Sequence, residues 1–119
     1  MSKIDNIIDF LDAGIHAESL RQKAIASNVA NLETPGYRRV DLDFKELLAK
    51  AMDSNDDVDP KSIEPELFHP ENTPVKSNGN NVNLEVEIGE MVKNTLRHKT
   101  YIRLLQKKYA QFELAMNVK

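Results

Sequence analysis

The side chains most able to bind a metal or move a proton in this 119-residue chain are its three histidines, His16, His69 and His98. They are scattered, with none of the close spacing that puts two ligands on one helix face. His98 falls inside an apolar repeat and reads as a tolerated polar residue rather than a ligand. The chain has no cysteine, so a disulfide framework, a thiolate metal site and a thiol nucleophile are all excluded. The carboxylate pairs Asp41 with Asp43 and Asp56 with Asp57 could do acid–base work only inside a pocket. They lie in segments that read as extended or loop. The four glycines, Gly14, Gly36, Gly79 and Gly89, are isolated, so no loop is built to cradle a phosphate. No catalytic, metal-binding or cofactor-binding residue is nominated, and no cofactor is expected.

The chemistry that remains is hydrogen bonding and packing. Asn28 and Asn31 lie one helical turn apart on one face. In a lone helix they are solvated polar residues, Asn31 helping to end it; in a packed bundle a buried amide instead fixes register, because misalignment leaves it without a partner. They run straight into Thr34-Pro35-Gly36-Tyr37. Pro35 cannot continue a helix, lacking the amide hydrogen and clashing with the preceding turn. Pro then Gly suits the two central positions of a type II turn, the second of which needs positive φ. Tyr37 follows as an amphipathic anchor for another helix.

A helix must deliver this motif. Apolar residues at Ile4, Ile8, Leu11 and Ile15 alternate steps of four and three; the seam passes through Glu18 and Gln22 and resumes at Ile25 and Val29. Ile7, Ala17, Leu20 and Ala24 widen the face. Ser2 with Asp5 offers a variant capping box at its start. Gly14, inside the helix, marks a close approach or a bend. After the turn, Val40, Leu42 and Phe44 alternate with Asp41 and Asp43 as a short extended segment, and Leu47, Leu48 and Ala51 then recur at helical spacing.

The longest element comes last. Leu84, Ile88, Met91, Thr95, His98, Ile102, Leu105, Tyr109, Phe112 and Met116 follow strict steps of four and three, and eight of these ten are apolar. Asn83 is positioned as N-cap, with Glu85, Glu87 and Glu90 near the positive helix end. A rod of about 50 Å results at 1.5 Å per residue, and so long a seam needs a partner of similar length. The N-terminal helix is the intrachain candidate. Residues 53–82 read as a flexible connection, with Pro60, Pro65, Pro70, Pro74, many acids and a turn around Asn78-Gly79. The expected division is therefore an N-terminal helix over 3–32, a turn, extended segment and short helix over 33–52, a flexible acidic loop over 53–82 and a heptad helix over 83–117. The fold class is all-α: an elongated antiparallel helical hairpin or coiled coil.

Composition agrees with a thin molecule. With 6% aromatic residues, no Trp and a mean hydropathy of −0.52, the chain can cover a helix seam but not fill a thick core. The net charge of −3 is unevenly spread. Asp53 to Pro74 holds seven acidic residues against Lys61, and Lys93 to Lys119 holds seven basic residues against Glu113. The basic helix lacks any groove-reading motif and the acidic segment opposes it, so no nucleic acid is expected. No secretory h-region interrupts the opening residues and no run approaches a bilayer span, so no direct membrane insertion is expected. The narrow heptad stripe also differs from the broad apolar face of an interfacial helix.

The run from Ala26 to Phe44, ASNVANLETPGYRRVDLDF, closely resembles the N-terminal signature of the bacterial flagellar basal-body rod proteins, an ANN-x-AN-x-x-TPGY-[KR] segment. Arg38 and Arg39 stand where that family commonly has Lys or Arg. Asn80 to Glu87, NNVNLEVE, resembles the family's GN-x-V-D-L-x-x-E stretch before the terminal helix. Ser27, Asn80-Asn81 and Asn83 depart slightly from the pattern, and Asn83 keeps the capping chemistry. The chain length and the run to Phe44 favour the proximal rod members, while 53–77 carries little of the likeness.

The resemblance implies a structural subunit and no enzyme. It implies an assembly motif of Asn28, Asn31, Thr34, Pro35, Gly36, Tyr37 and Phe44, and paired terminal helices packing helically with neighbours around an export channel. The partners implied are the chain itself and other rod subunits, the adaptor at the rod base and the flagellar type III export gate. The implied location is the periplasm-spanning rod, reached without a cleaved signal peptide. A free monomer would then expose apolar seam and be partly disordered or aggregation-prone until incorporated. The alternatives are a sister proximal rod protein of the same family, or a soluble helical-hairpin adaptor of a secretion system.

Overall fold

Two helices of very different surroundings carry the structure, a computed structural model that describes residues 3–44, 49 and 63–117, with the backbone alone at 3–6. Helix α1 spans Lys3–Ala30 and helix α2 spans Leu84–Asn117. Between them, β1 (Asp41–Asp43) pairs antiparallel with β2 (Glu66–Phe68), Leu42 opposite Leu67. The principal extents of 68 × 28 × 15 Å are those of a helical hairpin with a thin sheet on its side. Asn28 meets Glu87, Glu18 meets Asn94 and Gly14 meets Tyr101, so α1 and α2 run antiparallel.

Each boundary has a local cause. Asn31 closes α1, its Nδ2 donating to the Ser27 carbonyl at 2.8 Å and its Oδ1 accepting from Thr34 Oγ1 at 3.1 Å. Pro35 then blocks continuation, and Tyr37 N donates to Thr34 O across the turn at 3.3 Å. Gly36 takes φ of 76°, as a type II turn demands. At the other helix, Asn83 Oδ1 accepts from Glu85 N at 3.0 Å, the N-cap bond that satisfies an otherwise orphaned donor. Ser2 and the short helix expected around Leu47, Leu48 and Ala51 lie outside the described residues, apart from helical Ala49.

The apolar core is small and lies between α1 and the segment that follows the turn. The alternation of that segment turns Leu42 and Phe44 inward onto Ala17, with Ala13, Leu20 and Ile63 around them. Residues 63–82, expected as part of a flexible loop, hold more structure than their composition indicates. They contain β2, and Asn80, Asn81 and Val82 are buried. The reason is polar: Asn80 Nδ2 donates to the carbonyls of Asn31 and Thr34, both at 2.8 Å, so the loop caps the end of α1. The acidic, proline-rich stretch over 53–62 lies outside the described residues.

Candidate functional site

What joins α1 to α2 is a line of polar side chains. Asn28 is completely buried and uses all its hydrogen-bonding capacity. Its Oδ1 accepts from Val40 N at 2.8 Å and its Nδ2 donates to Val40 O at 2.9 Å, so the amide acts as a strand partner for that residue. Nδ2 also donates to Glu87 Oε2 at 3.2 Å, and Tyr37 Oη donates to Oδ1 at 3.1 Å while lying 3.0 Å from Ser27 Oγ. Glu87, equally buried, accepts from Arg39 Nε at 2.8 Å. Arg39 N in turn donates to Asn81 Oδ1 at 2.6 Å. The signature loop, the chain before α2 and α2 itself are thus tied at one knot.

A second knot lies mid-hairpin. Glu18, only 4% exposed, accepts from Asn94 Nδ2 at 2.9 Å, Arg97 Nε at 2.9 Å and Arg21 Nε at 3.3 Å. Asn94 Nδ2 also reaches the Glu18 carbonyl at 2.7 Å. Arg21 continues outward to Asp41 Oδ1 and the Leu42 carbonyl, binding β1 to the helix pair. Farther along, a Cβ built on Gly14 would stand 2.8 Å from the Tyr101 ring, so the glycine is what lets the ring lie against α1. Burial, followed by the negative charge of Glu18, pushes the Tyr101 hydroxyl pKa above its ordinary 10.0. Among the described residues no buried side-chain nitrogen or oxygen lacks a partner. Removing one member of such an ion pair leaves a buried charge and costs about 3–5 kcal/mol.

The apolar seam of α2 is placed elsewhere. Glu87, Asn94 and Tyr101, seven apart, face α1, and the apolar line runs beside them. Leu84, Ile88, Met91, Thr95, Tyr109, Phe112 and Met116 are exposed, and His98, Ile102 and Leu105 are half-buried. Ile88 keeps 50% of its surface open and Met116 keeps 71%. On α1 the arrangement is reversed: Leu11 and Ile25 are buried, and Ile8, Ile15 and Val29 half-buried. Ile4 has no described side chain. Within one chain the apolar line of α2 is therefore covered only in part, at His98, Ile102 and Leu105. In the signature, Thr34, Pro35 and Gly36 are exposed, Tyr37 is half-buried and Phe44 is in the core.

Glu18, Arg39, Asn80, Asn81, Glu87, Asn94 and Tyr101 do the joining; Glu18 stands in the apolar seam of α1 as its polar member, and apolar periodicity singles out none of the others. Only the seven-residue spacing of Glu87, Asn94 and Tyr101 signals a second line on α2. Chemistry beyond binding has little support in this geometry. Arg21 and Arg97 line the cleft of about 530 Å³ between the helices and the sheet, together with Phe44, Phe68 and Tyr101, but both guanidinium groups are committed to Glu18. Among the described residues no cluster of His, Asp or Glu could hold a metal, and no helix is long and apolar enough to cross a membrane.

Residues 9–38, most of α1 and the turn, match the family model for the flagella basal body rod protein. Curated relatives extend the likeness along the chain. The flagellar basal body rod protein FlgB of Cereibacter sphaeroides is 32% identical over 110 residues, covering 80% of this chain and 85% of that protein. FlgB of Buchnera aphidicola is 29% identical over 113 residues, covering 83% and 85%. FlgB of Bacillus subtilis is 23% identical over 118 residues, covering 92% of each. The residues matched by the family model include Glu18, Arg21, Asn28 and the TPGY turn, the α1 side of both knots. With relatives alike over four-fifths or more of it, the chain belongs to the flagellar basal body rod proteins, in the FlgB family.

Proposed function

We propose that this chain serves as a structural subunit of the proximal rod and joins its neighbours through the exposed apolar line of α2. Membership of the FlgB family supports the rod role. The line itself is the observation that carries the mode of assembly: Leu84, Ile88, Met91, Tyr109, Phe112 and Met116 are each at least 42% exposed along one side of α2. They form two exposed apolar patches, one toward each end of the helix, and exposed apolar surface of this kind marks an interaction face. Covering such side chains contributes about 1 kcal/mol each when half their surface is already buried, so the gain accumulates over the length of the helix.

In this reading the polar knots hold the hairpin in one register, and the apolar line is kept free for other rod subunits, including further copies. The signature residues Asn28, Asn31, Thr34, Pro35, Gly36 and Tyr37 serve assembly by presenting α2 in a fixed attitude, and Phe44 anchors the segment after the turn. Contacts with the adaptor at the rod base and with the type III export gate, and residence in the periplasm-spanning rod without a cleaved signal peptide, belong to the same proposal. Mass spectrometry of purified hook-basal bodies from the source bacterium tests it. The chain is expected there in small stoichiometric amount, and loss of motility is expected on its deletion. Its absence from the basal body, with all of it recovered in the cytosol, would overturn the rod role.

A further inference from the structure

Asn78 is the only asparagine of the chain followed by glycine. The fold requires both residues. Asn78 Oδ1 accepts from Asn80 N at 3.1 Å and its carbonyl accepts from Gly36 N at 2.9 Å, which docks this loop onto the TPGY turn. Gly79 has φ of 85°, where a side chain is strained, and an added Cβ would lie 3.3 Å from Gly36 Cα. A clasp made this way carries an intrinsic chemical lability. The backbone nitrogen of an Asn-Gly step, once it gives up its proton, meets no Cβ on its way to the side-chain amide carbon.

We propose that Asn78 is a spontaneous deamidation site whose reaction is held back by folding. In the reaction Gly79 N bonds to Asn78 Cγ and the side-chain nitrogen leaves as ammonia, giving a cyclic succinimide. Water then opens the ring at either carbonyl, leaving aspartate or isoaspartate at position 78. No oxidant, metal or enzyme is needed. The folded loop obstructs each requirement. Gly79 N–H is engaged by the Lys76 carbonyl at 2.9 Å, which disfavours loss of the proton, and Asn78 Oδ1 is held by Asn80 N, which restrains rotation of the side-chain carbon toward the attacking nitrogen. Exposure is not the barrier, since Asn78 is open to water.

Reaction therefore requires the loop to open, and what keeps it closed is Asn80, whose amide reaches the carbonyls of Asn31 and Thr34. An isoaspartate would add a backbone carbon at the residue whose carbonyl receives Gly36 N–H, displacing the clasp from the turn. A chain waiting unfolded would accumulate this lesion, and a folded one would be spared.

The test is peptide mapping by mass spectrometry of the full chain incubated at neutral pH and 37 °C (about body temperature), in buffer and in urea, with isoaspartate distinguished from aspartate by fragmentation. Deamidation at Asn78 is expected to be about tenfold or more slower in buffer, the ratio reporting the opening equilibrium of the loop. The Asn80→Ala chain is expected to lose most of that protection in buffer while reacting at the wild-type rate in urea. Equal wild-type rates in buffer and urea would overturn the proposal, as would another asparagine reacting first in urea. The wild-type comparison stands even where Asn80→Ala fails to fold.

Discussion

Replacing Asn28 by alanine should unseat the knot that joins the signature loop to α2. The substitution removes four hydrogen bonds, but the groups left behind are unequal. Tyr37 Oη keeps Ser27 Oγ at 3.0 Å, and Glu87 keeps Arg39 Nε at 2.8 Å. Val40 loses the partner of both its N–H and its carbonyl. A buried polar group left unpaired costs about 1–3 kcal/mol, and a bond to a charged group contributes about 1.5–3. Val40 is half-buried, so water relieves part of the penalty. The expected loss is about 3–5 kcal/mol, a large fraction of the roughly 5–15 kcal/mol that stabilises a typical domain. Urea unfolding followed by far-UV circular dichroism measures it. Asn31→Ala, three residues away in the same motif but at the exposed end of α1, is expected to cost about 1 kcal/mol or less. Asn28→Asp sharpens the test, since it places a carboxylate where Nδ2 lies 3.2 Å from Glu87 Oε2. Burial and like charge raise the pKa of the introduced carboxyl. Its destabilisation is therefore full at neutral pH and shrinks as pH falls through that raised value. A loss below about 1 kcal/mol for Asn28→Ala, or equal losses at 28 and 31, would mean that the buried amide does not hold the knot together.

Gly14→Ala drives a methyl group into the Tyr101 ring; overpacking costs about 1–3 kcal/mol and better helix propensity returns about 1, so a net loss of up to about 2 is expected by urea unfolding. In the double variant with Tyr101→Ala the two effects should couple rather than add. Gly36→Ala meets no neighbouring atom and should cost only the backbone strain of φ 76°, about 1–2 kcal/mol. Gly79→Ala should cost more, because its Cβ also presses on Gly36, and comparison of thermal midpoints checks the order. Tyr101 should titrate above 10.0 in a spectrophotometric titration, a midpoint lost in Tyr101→Phe. Its folded pKa is raised, so the stability linked to it is complete below the unfolded value and is lost as pH rises through the folded one.

The helices, the turn and the inward alternation of Leu42 and Phe44 were legible because each follows from local chemistry: periodicity, a proline stop, a positive-φ glycine and an asparagine cap. The family was legible from Ala26 to Phe44 because that run supplies structural contacts as well as a boundary. The face that joins the helices was not legible. Apolar periodicity identifies where burial is favourable, but here polar groups occupy the seam within the chain. Glu18 only interrupts the seam of α1, and Glu87 and Asn94 lie off the apolar line of α2, until their partners Arg97, Arg39 and the Glu18 carbonyl are brought to them from distant sequence. Asn80 and Asn81 were hidden for the same reason. In a turn-rich, acidic region their composition indicates a flexible loop, and only the capped carbonyls of Asn31 and Thr34 reveal an ordered clasp.

In the proposed assembly α2 turns its polar line inward and leaves its apolar line for neighbouring subunits. Site-specific photo-crosslinking in intact basal bodies tests this most directly, with the probe placed in turn at Ile88, Met91 and Phe112, and at Lys93, Thr100 and Lys107 on another exposed side of the helix. Strong crosslinks to rod subunits are expected from the first three positions and weak ones from the second three. Crosslinks of equal strength from both sets, or confined to the lysine side, would mean that the apolar line is not the face joined to neighbouring subunits.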